Sequence, residues 1–436
     1  MAKRYRRYLP EQDLLLPPSL REWLPENHLV YLVSEVIDHL DLSALDAVYG
    51  DEERGQPPYD PRMMTKVLVS GYCVGVYSSR RLERRLAEDV GFRVRAAGNA
   101  PDFRTIADFR KLHLATLAGL FEAVLKIALE AGALKLGRAA LDGTKVKANA
   151  SKHKAMSYGR MEEKERQLRA EVRGLLAQAE AADAAEDAQY GADRRGGELP
   201  AELQRRETRL KKIREAKRAL EERARQQAEG EGKPREEVPQ ARPADTAQYN
   251  FTDPESRLMK GGEGLVQGYN AQAAVEPALQ LIVGQSVTPA ANDKEQIEPM
   301  LQVIEHQSGQ RPAALLADSG YCSENNLKYL ATTYQQIDAY IATGKQKHDE
   351  YRQPCPRGPL PTNAARVERM MRKLQTRAGR AVYAARKTIV EPVFGQIKEA
   401  RGFRHFLLRG LVKVRGEWAL VCLSHNILKL HRLCSA

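Results

Sequence analysis

Three carboxylates in this sequence have the type and placement for metal-assisted chemistry: Asp142, Asp318 and Glu391. Glu391 stands inside RKTIVEPVFGQIKEARGFRHF, residues 386–406, with Val390, Val393, Phe394 and Ile397 around it at helical spacing. Residues 366–415 hold 14 Lys/Arg against three acids, Glu368, Glu391 and Glu399, a surplus of 11. A carboxylate at the edge of a packed face and ringed by cations is expected to be ionised. It can bind a metal ion while its neighbours bind phosphates. Asp142 falls early in AALDGTKVKANAS, which reads as a strand, and Asp318 closes the apolar run AALLADS, which reads as another. Strand parity turns Asp142, Thr144 and Val146 one way and Leu141, Lys145 and Lys147 the other.

In open α/β sheets, ligand-binding groups gather at the carboxyl ends of strands. Three acids brought together there repel one another unless divalent cations bridge them, and Mg²⁺ or Mn²⁺ prefers such oxygen ligands. Two ions about 3.5–4 Å apart can activate a water or a 3′-hydroxyl and stabilise the leaving oxygen in phosphodiester transfer. Plainer alternatives stand beside this one. An Asp at a strand end is often a cap or turn residue, and Glu391 can form an ordinary ion pair with Arg386 or Lys387.

Several elements must position these groups. Residues 1–135 read as an all-α region. Asn27 is expected to cap a helix over 28–40, Asp60-Pro61 to start one over 63–76, and Ser79 to open a third that stops near Gly91. Thr105 and Asp108 have capping-box-like spacing at the head of a longer helix through Arg110, Lys111 and His113. Arg104, Arg110 and Lys111 follow a Gly-bearing turn, as in a DNA-binding helix-turn-helix; a solvated helical face is the bland alternative. Arg80, Arg81, Arg84 and Arg85 are four cations within six residues and favour an anionic partner.

Residues 136–159 and 246–436 alternate strands and helices: strand, insertion, two strands forming a hairpin, helix, strand, helix, strand, helix. That order implies a mixed α/β sheet with one antiparallel part. The intervening 160–245 holds 20 Lys/Arg and 20 Asp/Glu, with Leu at helical intervals. It reads as a charged hairpin of two long helices joined around Tyr190–Pro200, serving contact or dimerisation rather than DNA. Pro392 directly after Glu391 suggests that a helix begins or restarts at the glutamate. Trp418–Leu430 reads as a closing core helix, and His405, His425 and His431 are too dispersed to be ligands.

The totals agree with this picture. The chain has 436 residues, a net charge of +12 and a pI of about 9.3, which points to a polyanionic partner, nucleic acid first. The five cysteines are scattered without CxxC, which argues against a disulfide framework and a thiolate zinc site. The N-terminal residues show no apolar leader pattern, and no stretch is long and apolar enough to span a bilayer.

Taken together, LDGTKVKANAS, LLADSGYCSENN and RKTIVEPVFGQIKEARGFRHFLLRG resemble the DDE transposases of bacterial insertion sequences, the group with an RNase H-like catalytic core. The residues from Pro57 to His113 resemble that group's helical N-terminal region, and TDPESRLMK with GYNAQAAVE resembles the entry to its second strand. The resemblance implies an RNase H-like mixed sheet, with Asp142, Asp318 and Glu391 as catalytic metal ligands for Mg²⁺ or Mn²⁺, two ions. It also implies double-stranded DNA as partner, a homodimer on DNA, and a cytoplasmic, nucleoid-associated site of action. Around the glutamate the family carries Y-x2-R-x3-E-x6-K. Here Glu391 and Lys398 keep the last spacing, Tyr383 and Arg386 keep the first, and Lys387 occupies the arginine's expected distance from Glu391. Lys398, Arg386, Lys387, Tyr383, Arg401, Arg404, Arg80, Arg81, Arg84, Arg104 and Arg110 are thus the expected DNA contacts. Two other readings stay open: a transposase-derived DNA binder without catalysis, and a metal-dependent nuclease that does not join strands.

Overall fold

The computed structural model describes residues 19–49, 57–190, 201–230, 238–261, 264–344, 358–361 and 363–435, with side chains 179–190 and 201–203 left aside. The expected hairpin turn after Tyr190, most of the 344–365 connection and Cys355 lie outside the described residues.

Among the described residues, seven α-helices precede the sheet: α1 (Leu29–Asp38), α2 (Ser43–Asp46), α3 (Pro61–Cys73), α4 (Ser79–Glu88), α5 (Val90–Arg95), α6 (Phe103–Leu112) and α7 (Leu114–Glu130). Side-chain caps set the starts of α1, α3, α5 and α6, because the first amides of a helix lack intrahelical partners. Asp60 accepts from Met63 N at 2.8 Å with Pro61 in the first turn, and Asp102 accepts from Thr105 N at 2.7 Å. The cap of α1 is His28 rather than Asn27: its Nδ1 accepts from Val30 N at 3.2 Å. The helix expected to run past His113 instead breaks there, and α6 and α7 meet at 71°. The His113 ring bonds the Tyr49 hydroxyl at 2.9 Å, which holds the corner. No single helix among the described residues is long and apolar enough to cross a membrane.

The strands are β1 (Arg138–Lys147), β2 (Ala155–Ser157), β3 (Gln248–Asn250), β4 (Arg257–Gly261), β5 (Gly264–Val275), β6 (Ile282–Thr288), β7 (Ala314–Ala317) and β8 (Asp338–Ile341). β2 and β3 pair by themselves. The other six form one mixed sheet. β5 lies antiparallel to β1 on one edge and to β4 and then β6 on the other, while β7 runs parallel to β1 and β8 parallel to β7. β4 is a separate strand where the sequence suggested only an approach to β5. Ala139, Ala140 and Leu141 of β1 and Leu315, Leu316 and Ala317 of β7 are all fully buried, as expected of strands covered on both faces.

Between β2 and β3 the chain forms α8 (Tyr158–Tyr190) and α9 (Ala201–Gly230), and later α10 (Ile297–Ser308), α11 (Glu324–Thr333), α12 (Arg366–Gln375), α13 (Arg377–Gly395) and α14 (Leu411–Cys434). α14 packs on α7, α3 and β6. Its Trp418 is fully buried and donates from Nε1 to Gln272 O at 3.1 Å. One hydrophobic cluster runs from Val33 and Tyr72 through Phe121 to β1, β5 and Trp418, so the first helices share their core with the sheet. α8 and α9 have a small cluster of their own around Met161, Leu168, Ile213 and Leu220.

Candidate active site

Parallel pairing of β1 with β7 ends at Leu141↔Ala317, and the next residue in each segment is an aspartate. Asp142 and Asp318 are therefore neighbours, by register, where the pairing of two interior strands ends. Asp318 caps the turn over Ser319–Tyr321, accepting from Gly320 N at 2.9 Å, and Asp142 accepts from Gly143 N at 2.8 Å. The cap reading of a strand-end Asp is thus true of Asp318, without removing it from the site. Burial pushes the Asp142 carboxyl up to about 6; Arg386 opposes the rise and the charge of Asp318 adds to it.

Glu391 reaches the same place by another route. α13 runs unbroken from Arg377 to Gly395, with Glu391 and Pro392 inside it, so no helix begins at the glutamate. Proline in a helix interior removes one N–H and orphans the carbonyl four residues back. That carbonyl belongs to Thr388, and Gln280 Nε2 donates to it at 3.1 Å. This replacement partner, from the turn before β6, is what lets α13 continue. A π-helical turn over Gln396–Ala400 follows.

Arg386 is buried on α13 and joins the two acids. Its Nη1 donates to Asp142 Oδ2 at 2.9 Å, and its Nη2 lies 3.9 Å from Glu391 Oε1. Lys387, one residue on, is exposed. Asp142 raises the Arg386 pKa, with the Tyr383 phenol and Asp318 contributing, although burial alone would lower it.

A fourth carboxylate belongs to the cluster and was not singled out from sequence. Asp293 Oδ1 accepts from Asn270 Nδ2 and Gln272 Nε2, each at 2.6 Å, and its Oδ2 lies 3.9 Å from Lys145 Nζ. The Tyr321 hydroxyl donates to Gln272 Oε1. Burial raises the Tyr321 pKa, and so do the charges of Asp293, Asp142 and Asp318. Burial lowers the Lys145 pKa, while the same three aspartates oppose the drop. A usable signal existed: β6 is antiparallel to β5, which is antiparallel to β1, so β6 points as β1 does. Asp293 therefore follows the carboxyl end of a third co-directional strand.

Beside these acids lies a basic groove of about 360 Å³, walled by Lys145, Lys147, Lys260, Lys398 and Arg404 with Glu399. Lys398 Nζ donates to Lys145 O at 2.8 Å, and Arg404 pairs with Glu399. Residues 404–406 extend β1's end: Phe406 N donates to Lys147 O at 2.8 Å. On the N-terminal helices, Arg80 stacks on Phe103 with its guanidinium 4.9 Å from the ring centre; Arg81, Arg84 and Arg104 are exposed. Two expected contacts turn inward. Arg110 is 7% exposed and donates to Tyr77 O at 2.9 Å. Arg401 donates to Ser424 Oγ at 2.6 Å and Val421 O at 3.3 Å, tying the loop after α13 to α14. Their place in the packing comes from which face of each segment meets α14 and α3, which basic residue type alone does not reveal.

Among the described residues, no three His, Cys, Asp or Glu side chains form a ready metal cage. The donor set nevertheless suits a hard cation. Asp142 and Asp318 offer neighbouring carboxylates, and the charge of Asp318 adds to the rise that burial imposes on Asp142. Between Asp142 and Glu391, a cation is already present in the Arg386 guanidinium.

Two family models match the sequence. Residues 18–112 match the model described as Transposase domain (DUF772), and residues 237–427 match the Transposase DDE domain. No curated protein and no solved structure matches the chain.

Proposed function

This chain belongs to the insertion-sequence DDE transposases, and from that premise we propose that Asp142, Asp318 and Glu391 are its catalytic carboxylates. The observation that carries the reading is the adjacency of Asp142 and Asp318 across parallel strands, with Glu391 joined to Asp142 through one guanidinium. The strand order β6–β5–β1–β7–β8, antiparallel on one side of β1 and parallel on the other, supports an RNase H-like reading of the sheet.

Asp142, Asp318 and Glu391 would hold Mg²⁺ or Mn²⁺. Bound there, the ion lowers the pKa of a water and offsets charge on the leaving oxygen. The chain's own residues supply the rest. Lys145, Lys147, Lys260, Lys398 and Arg404 line a groove suited to the backbone phosphates next to the scissile one. Asn270 and Gln272 fix the Asp293 carboxylate, which together with Asp142 and Asp318 supplies the negative charge facing Lys145. In the cut, water oxygen bonds to phosphorus, the P–O3′ bond breaks and the 3′-oxygen leaves protonated. In the joining step, that 3′-hydroxyl bonds to a target phosphorus and releases a target 3′-hydroxyl.

The test is cleavage of a duplex carrying the DNA that flanks the coding region, in Mg²⁺. Asp142→Asn or Glu391→Gln protein that cuts at the wild-type rate overturns the assignment. Wild-type protein that binds the duplex with salt-dependent but Mg²⁺-independent affinity and never cuts it would be a binder without catalysis. Cutting without strand joining would make it a nuclease.

A further inference from the structure

Residues 160–245 are neutral in sum, with 20 Lys/Arg and 20 Asp/Glu, and the sum conceals a separation. The paired stretches near the base of the hairpin, residues 158–176 and 205–225, hold 15 Lys/Arg against eight Asp/Glu, a surplus of seven, and residues 226–245, leading to β3, hold three Lys/Arg against five Asp/Glu. Residues 177–204 hold seven Asp/Glu against two Lys/Arg.

Within the basic half, one carboxylate organises three cations. Buried Glu165 accepts from Arg169 Nη2 at 2.5 Å, Lys217 Nζ at 2.9 Å and Arg214 Nε at 3.2 Å. Glu162 Oε1 also lies 3.7 Å from Lys217 Nζ, so two carboxylates face three cations, and the remaining positive charge is held in a fixed position. Alongside runs a groove of about 630 Å³ between α8 and α9. Arg169, Arg173, Lys211, Arg214 and Arg218 form its walls, Val172 and Leu210 lie between them, and Glu207 and Glu215 are the two acids.

The position matters as much as the charge. α8 starts at Tyr158, shortly after Lys147 ends β1, and Lys147 lines the groove beside the acids. Arg169 lies 11 residues into α8, roughly 16 Å along the axis at about 1.5 Å per residue. Planar guanidinium groups held by a shared carboxylate suit phosphate oxygens, which they can grip in pairs.

We propose that this α8–α9 groove binds the phosphodiester backbone of duplex DNA, as a contact region separate from the groove beside Asp142. The proposal rests on the reading of the chain as an enzyme that acts on DNA. It also reverses the expectation, drawn from the segment's neutrality, that the hairpin makes no such contact.

The experiment uses the full chain and a duplex of about 40 base pairs, roughly four helical turns, of arbitrary sequence. Affinity is measured across a salt series for wild type and for the triple variant Arg173→Gln, Lys211→Gln, Arg218→Gln. These side chains leave the Glu165 cluster and the carboxylate site intact. The slope of log affinity against log salt should become shallower by up to about 3, near 0.9 per lost phosphate contact. Glu207→Gln with Glu215→Gln should strengthen binding at fixed salt, so a folding defect cannot mimic both results. An unchanged slope in the triple variant, with wild-type protein binding well, overturns the proposal. So does an unchanged slope accompanied by a fall in mass by light scattering, which would make the groove a contact between copies of the chain. Wild-type protein with no affinity for DNA even at low salt would instead remove the functional reading beneath it.

Discussion

Arg386 Nη1 donates to Asp142 Oδ2 at 2.9 Å, and both side chains are shielded, 9% and 19% exposed. The pair joins the middle of α13 to the middle of the first strand. It also compensates a carboxylate that burial and Asp318 make hard to ionise, with a pKa of about 6. Arg386→Gln leaves that charge without its partner. Because the folded Asp142 holds its proton more tightly than the unfolded one, ionisation costs stability as pH rises from about 4 to 6. Removing Arg386 enlarges the cost. Urea unfolding should show a loss of about 3–5 kcal/mol near neutral pH and a much smaller one at acid pH. An equal loss at both would show the pair to be unimportant.

The same guanidinium competes with any other cation for Asp142 and Glu391. DNA-free Arg386→Gln protein should therefore bind Mn²⁺ more tightly than wild type in calorimetry, while Arg386→Lys, which keeps the charge, should stay near wild type. Asp142→Asn should weaken binding in either background.

Gly143 faces the Asp293 network without room for a side chain. A Cβ there would lie 2.7 Å from Asp293 Oδ1 and 2.8 Å from Asn270 Oδ1, and closer still to Gln272 Nε2. Gly143→Ala should cost about 1–3 kcal/mol through overpacking and lower the cleavage rate more than it lowers DNA affinity. A variant with wild-type melting and rate would mean that the network yields easily.

Pro392→Ala gives α13 back an amide, which can reclaim Thr388 O from Gln280. Interior proline costs a helix up to about 3 kcal/mol, so the variant should melt higher. Gln280→Ala should then matter less in the Pro392→Ala background than in wild type, and a double-mutant cycle reads that coupling directly.

Glu417 on α14 is fully buried and accepts from Leu407 N and Leu408 N at 3.0 Å each. Burial raises its pKa to about 7, with those amides and Arg110 opposing. The folded form holds the proton more tightly, so stability contributed by neutral Glu417 is present at acid pH and lost as pH rises from about 4.5 to 7. Glu417→Gln should flatten that part of the stability profile, by an order of 3 kcal/mol across the window. A wild-type profile already flat there would contradict the assignment.

Much of the architecture could be read from local pattern. The strand carrying Asp142 early in its run and the apolar run closed by Asp318 were visible because strand burial leaves a short-range signature. The Leu spacing of α8 and α9, the Asp60-Pro61 start of α3 and the core character around Trp418 were visible for the same reason. Other features depend on register and on the rotation of one element against another. The sheet's register brought Asp293 to Asp318, and the rotation of α13 assigned Arg386 to Asp142 while leaving Lys387 exposed. The helix at Glu391 continued because Gln280, more than a hundred residues earlier, satisfies Thr388 O. Arg110 and Arg401 were drawn inward by the surfaces they meet, and the neutral hairpin was divided by which residues line its groove. Residue type and spacing determined which chemical groups this protein carries and on which kinds of element. Which of them meet was decided only by the tertiary structure, because contacts between distant segments have no local periodicity to announce them.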